Sequence, residues 1–98
     1  MAYKIVYLPV AEQDINDIAS YLSQFYENTV GKFITSLDKS ISRLSDNPYI
    51  GTAYRSYRKL VVSEYLVFYK VDDEDNVVII FRVLHSSRDT EVRKFDRD

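Results

Sequence analysis

His85 is the single histidine of this 98-residue chain. It ends a segment that opens with the most apolar run of the sequence, Val77–Phe81, and Ser86, Ser87, Arg88 and Asp89 follow it at once. Imidazole is the side chain whose ordinary pKa suits proton transfer near neutrality. Arg58, Arg82 and Arg88 carry guanidinium groups, which can bridge phosphate oxygens in a forked geometry. Together they would supply what cleavage of RNA through its own 2′-hydroxyl requires. That reaction needs a proton acceptor, a donor for the leaving oxygen, and cations for the charge that builds on phosphorus. His85, Arg82, Arg58 and Arg88 are therefore the candidate catalytic residues if the chain is a nuclease. The bland reading stands beside it, since a lone histidine at a strand end more often hydrogen-bonds backbone at the surface.

Other chemistries have thinner support. Ser86 and Ser87 have no second histidine or strand-end acid near them in sequence, so nucleophilic serine chemistry is not expected. Only Asp89 lies close enough to His85 to begin a metal cluster. The acidic run Asp72–Asp75 lacks the glycine and glutamate spacing of a calcium loop and reads as a solvated turn. No metal or cofactor is expected. Tyr65 and Tyr69 alternate with Val67 and Val71; they could stack on bases, but core packing explains them first.

These residues must be positioned by a small number of elements. Tyr3–Leu8 is rich in β-formers and ends at Pro9. From Val10 the period changes, with Ile15, Ile18, Ala19, Leu22 and Tyr26 on one helical face. A second helix follows, capped by Asn28 or Thr29, with an apolar stripe of Phe33, Ile34, Leu37, Ile41 and Leu44 and a stop at Asp46-Asn47-Pro48. The short join predicts an antiparallel helical hairpin. After the loop Asn47–Tyr54, three strands are expected at 58–62, 65–71 and 77–84, joined by Ser63-Glu64 and by the acidic turn. The last strand is apolar on both faces and belongs in the sheet interior. Strict alternation places Ile79, Phe81, Val83 and His85 on one face and Val78, Ile80, Arg82 and Leu84 on the other. Arg82 then interrupts an apolar face, so it must be paired or look into a polar groove. The fold class is α+β, with a helical hairpin on one face of a four-stranded, mainly antiparallel sheet in the order β-α-α-β-β-β.

Composition narrows the class of protein. Hydrophobic residues make up 46% of the chain and aromatics 14%, enough for one cored domain without staples. With no cysteine, disulfides and thiolate metal sites are excluded. No apolar run approaches membrane-spanning length, and a cytoplasmic location is expected. The net charge of −2 argues against a general nucleic-acid binder, although the second half is net positive away from Asp72–Asp75. Val92 and Phe95 in the polar tail could pin a short turn onto the domain.

The segment Tyr57–Asp89 resembles the C-terminal half of the RelE/ParE superfamily of toxins from type II toxin–antitoxin systems. The resemblance rests on Arg58 opening a strand, the Tyr65/Tyr69 strand, the acidic hairpin, and a V-L-H-x-x-R-D ending at Val83–Asp89. The N-P-x-x-G stretch Asn47–Gly51 after the helical hairpin also fits. It implies a single-domain toxin that arrests growth and is neutralised by a cognate antitoxin, whose tail folds on binding. The antitoxin's acidic residues are expected in a groove around Arg58, Arg82 and His85. The RelE-like branch cleaves mRNA on the ribosome, whereas the ParE-like branch inhibits DNA gyrase by binding. Nucleases of the first branch commonly place an arginine after the first aromatic of the third strand and are strongly basic. This chain has Leu66 there and is acidic, so the resemblance leans to the gyrase branch. An inactive toxin-fold binding partner is the third reading. A homodimer is compatible with the sequence, which offers no exposed stripe to specify one.

Overall fold

The structure, a computed structural model, describes residues 2–25 and 28–87. The chain order is β1 Lys4–Tyr7, α1 Pro9–Phe25, α2 Thr29–Asp46, β2 Thr52–Tyr54, β3 Tyr57–Val62, β4 Tyr65–Asp72 and β5 Val77–His85. The sheet has five strands in the order β1-β5-β4-β3-β2. β1 pairs parallel to β5, and every other pair is antiparallel. The expected architecture holds with one strand added.

That strand is β2, at the end of the stretch expected to be loop. Its three residues pair with β3 through Thr52↔Lys59, Ala53↔Arg58 and Tyr54↔Tyr57. A run so short, with two exposed residues, carries no alternation to detect, and only its neighbour makes it a strand.

Both helices form where the period predicts. Pro9 opens α1, where its missing N–H costs nothing. Ala11 and Leu22 are buried from α1, and Phe33, Leu37, Ile41 and Leu44 from α2. Ile34 departs from the expected stripe and is 40% exposed. Asn28 does occupy the N-cap position of α2, but its side chain makes no capping hydrogen bond. Tyr26, the last residue of the expected α1 stripe, lies outside the described residues.

The main core joins both helices to Val62, Tyr65, Val67, Tyr69, Val78, Ile80 and Val83. Tyr69 is fully buried and Tyr65 nearly so, so core packing takes precedence over base stacking at both. A second cluster lies on the opposite face, with Phe68 and Leu84 at its centre and Tyr54, Tyr57, Leu66 and Phe81 around them. β5 is an interior strand, as its two apolar faces require.

Strict alternation fails within β5. Tyr69 pairs with Ile80 while Phe68 pairs with Arg82, so Phe81 is the extra residue of a bulge. The bulge reverses the parity of the residues beyond it. Val83 joins Val78 and Ile80 on the helix side, and Leu84 joins Phe81 on the other. Among the described residues, no helix is long and apolar enough to cross a membrane.

Candidate functional site

The bulge decides where the candidate residues point. Just past it, the guanidinium of Arg82 reaches Asp14 on α1. Arg82 Nε donates to Asp14 Oδ2 at 2.7 Å and Nη2 donates to Oδ1 at 3.0 Å. The backbone N–H of Val83 also donates to Oδ2, at 3.0 Å. This forked pair satisfies the requirement that an arginine on an apolar strand find an anion. It also satisfies a β5 N–H beyond the reach of β1, whose pairing ends at Ile80.

His85 lies against the edge of the Tyr65 ring, with centroids 5.3 Å apart. The Ser87 N–H donates to His85 Nδ1 at 3.1 Å, and the Ser87 hydroxyl sits 2.6 Å from the same atom. A backbone N–H can only donate, so Nδ1 is the acceptor and the proton of the neutral ring sits on Nε2. Nε2 faces Glu64 at 3.6 Å. An acid therefore does lie near the serine–histidine pair, brought by the β3–β4 turn. Its side chain is 74% exposed, and both Ser87 groups serve to close the turn after β5.

Arg82 and His85 line one groove of about 750 Å³ between α1 and the end of β5, together with Asp14, Asp17, Tyr21 and Glu64. Arg58 does not line it. Its Nη2 donates to the carbonyls of Tyr49 at 3.1 Å and Gly51 at 2.7 Å, and its guanidinium lies over the Tyr49 ring. Arg88 and Asp89 lie outside the described residues. Two of the four candidates are thus brought together, one is placed elsewhere, and the groove carries carboxylates where a basic lining was expected.

Arg58 belongs to a network that fixes the Pro48–Gly51 loop. The Tyr69 hydroxyl donates to Pro48 O at 2.8 Å and accepts from Gly51 N–H at 3.0 Å. A Cβ on Gly51 would sit 2.5 Å from that hydroxyl and 2.9 Å from the Lys59 carbonyl, so only glycine fits. Tyr49, from the same loop, donates to Asp73, as does Tyr3 at 2.6 Å. The bond to Asp73 and then desolvation push the Tyr49 hydroxyl up to about 12. The two tyrosines hold the Asp73 carboxyl below its ordinary value. The acidic turn is thus a structural anchor as well as a solvated tip.

The helix-free face of the sheet carries cations that the sequence patterns did not single out. Lys59 lies over the Tyr54 ring at 5.1 Å, and Lys70 lies over Tyr57 at 4.5 Å and Phe81 at 5.4 Å. The signal was Lys59 and Lys70 alternating with aromatics on neighbouring strands. Among the described residues, no cluster of three or more His, Cys, Asp or Glu side chains could hold a metal.

Comparison with known proteins places this architecture. Residues 5–90 match the family model described as ParE toxin of type II toxin–antitoxin system, parDE. No curated protein sequence gives a significant match. Among solved structures, the chain is similar to one from the chromosomal ParDE system of P. aeruginosa, with a TM-score of 0.72 at 12% identity, covering 86% of this chain and 96% of that one. A chain of the RelBE2 complex from Mycobacterium tuberculosis has a TM-score of 0.64 at 20% identity, covering 87% and 99%. The isolated E. coli RelE toxin has a TM-score of 0.62 at 18% identity, covering 98% of each chain. The solved structures share the fold, and the family model spans most of the sequence: the chain belongs to the ParE toxin family of type II toxin–antitoxin systems.

Proposed function

We propose that the protein arrests growth by binding DNA gyrase and that a cognate antitoxin neutralises it. One observation carries the preference for binding over RNA cleavage. The described arginines proposed as catalytic are committed within the fold, Arg82 to Asp14 and Arg58 to two loop carbonyls. Arg82 shares the groove with His85, but its charge is held by Asp14, and Arg58 lies outside that groove. An endonuclease would need such a cation, because charge stabilisation is commonly the largest part of that catalysis. The antitoxin follows from the family, and the solved ParDE and RelBE systems that share the fold support it.

A second reading has its own support. The helix-free face layers Lys59 and Lys70 on aromatic rings, which is the combination that stacks bases and neutralises phosphate. It favours a ribosome-dependent endonuclease that holds RNA on this face, although His85 stands on the helix side, in the groove beside α1. Induced expression with pulse-labelling separates the readings. Early loss of DNA synthesis is the expected result, whereas early loss of translation would move the ribosome to first place. No effect on growth would favour an inactive binding partner.

A further inference from the structure

The groove between α1 and the end of β5 has a charge that differs from the one expected of it. Asp14 and Arg82 cancel within their forked pair. His85 directs Nε2 toward Glu64 at 3.6 Å. Among the described residues, two carboxylates of the groove remain without a permanent cation. Asp17 takes an amide hydrogen of Gln13 at 2.8 Å, and Glu64 lines the same groove from the β3–β4 turn. Between them the walls are apolar or aromatic, from Ile18, Tyr21, Leu22 and Tyr65. Tyr21, from this lining, packs ring on ring with Phe25 at 5.1 Å, although the two are 55% and 60% exposed. A trough that combines apolar and aromatic side chains with unneutralised carboxylates matches one chemistry.

We propose that this groove docks a cationic amphipathic segment of a partner protein. Its basic side chains meet Asp17 and Glu64, and its aliphatic side chains lie on Ile18, Tyr21 and Leu22. The assignment rests on the toxin–antitoxin reading in one respect, that the neutralising antitoxin supplies the segment. It reverses the sign expected there, since the partner contributes cations rather than acids at this site. Carboxylates lining one trough favour arginine or lysine and repel an acidic tail.

The test uses the full chain and a labelled amphipathic peptide of leucine and arginine, monitored by fluorescence anisotropy. Saturable binding is expected, weakening with added salt. Asp17→Asn and Glu64→Gln should each weaken it roughly threefold, as for a partly exposed ion pair. A Glu74→Gln variant, altered in the distant β4–β5 turn, should bind unchanged. Equal binding by the leucine–glutamate counterpart, or indifference to Asp17 and Glu64, would overturn the proposal. So would displacement by a peptide of residues 88–98, which would make the chain's own terminus the occupant. Self-association that competes with the peptide would assign the groove to a second copy and overturn it equally. The titration needs neither growth arrest nor a cellular target, so its failure is separable from that of the toxin reading.

Discussion

A guanidinium on an apolar strand needs an anion, and Asp14 supplies it with two oxygens while also accepting the Val83 N–H. Replacing Asp14 by alanine leaves three donors without their acceptor in a partly buried setting. Charge-assisted bonds of this kind contribute about 1–3 kcal/mol, so urea denaturation of Asp14→Ala should show a loss in that range. Asp14→Asn, which keeps an acceptor oxygen, should lose less. A protein as stable as the parent would show that the pair contributes nothing. For His85→Ala the expected outcome is survival of growth inhibition, because an interface residue outside a hot spot typically contributes less than ~1 kcal/mol. A nuclease would instead lose ~10²–10⁴-fold in rate, and a folded, non-toxic variant would refute the binding mechanism. That Arg82 must be paired was legible in the strand pattern, but the identity of its partner was not. The one local hint is that Asp14 sits one turn before Ile18, in line with the apolar stripe of α1, where an acid is out of place unless something cationic faces it.

Among the elements, both helices and four of the strands were legible, because each carries a periodic apolar face long enough to recognise. β2 and the bulge were not. Three residues cannot show a period, and Phe81 fits either face until the partner strand fixes the register. The loop before β2 shows the same dependence on tertiary contacts. Asn47–Gly51 was recognisable as a motif, but its reason lies with Tyr69, whose hydroxyl joins Pro48 O to Gly51 N–H. Tyr69→Phe should cost about 1–3 kcal/mol, since it strips partners from two groups at a buried position. Gly51→Ala should destabilise as well, through the close approach of its Cβ to the Tyr69 hydroxyl and the Lys59 carbonyl. Combining the two is informative. Phenylalanine removes the hydroxyl clash but leaves the β3 carbonyl in place, so thermal denaturation should find the double variant less stable than Tyr69→Phe alone. Equal stability would mean that the backbone of β3 yields freely.

At the scale of the whole molecule, Asp73 joins parts far apart in sequence, taking hydrogens from Tyr3 beside β1 and from Tyr49 in the loop before β2. The sign of its pH dependence is set by the protonation states. Asp73 is held below its ordinary value, chiefly by the bonds from Tyr3 and Tyr49. Its contribution is present above the ordinary carboxylate range and is lost as pH falls through the lowered value. Tyr3 and Tyr49 are raised, first by the same bonds and then by desolvation. Their contribution is complete below the ordinary tyrosine value, near ~10, and is lost as pH rises through the raised ones. For Tyr49 that limit is about 12. The network is therefore intact across neutral pH and fails at both extremes. Tyrosinate absorbance should resolve a late-ionising group in the parent protein. Asp73→Asn keeps an acceptor but removes the charge, so Tyr3 and Tyr49 should then titrate closer to the ordinary value. Because all three groups lie at the surface, stability near neutrality should change little. Tyr7 is raised too, but by burial and then by Asp38, so its late titration should persist in the variant and serve as an internal control. An unchanged titration curve in Asp73→Asn would show that the carboxylate does not hold these hydroxyls, and with them the loop, in place.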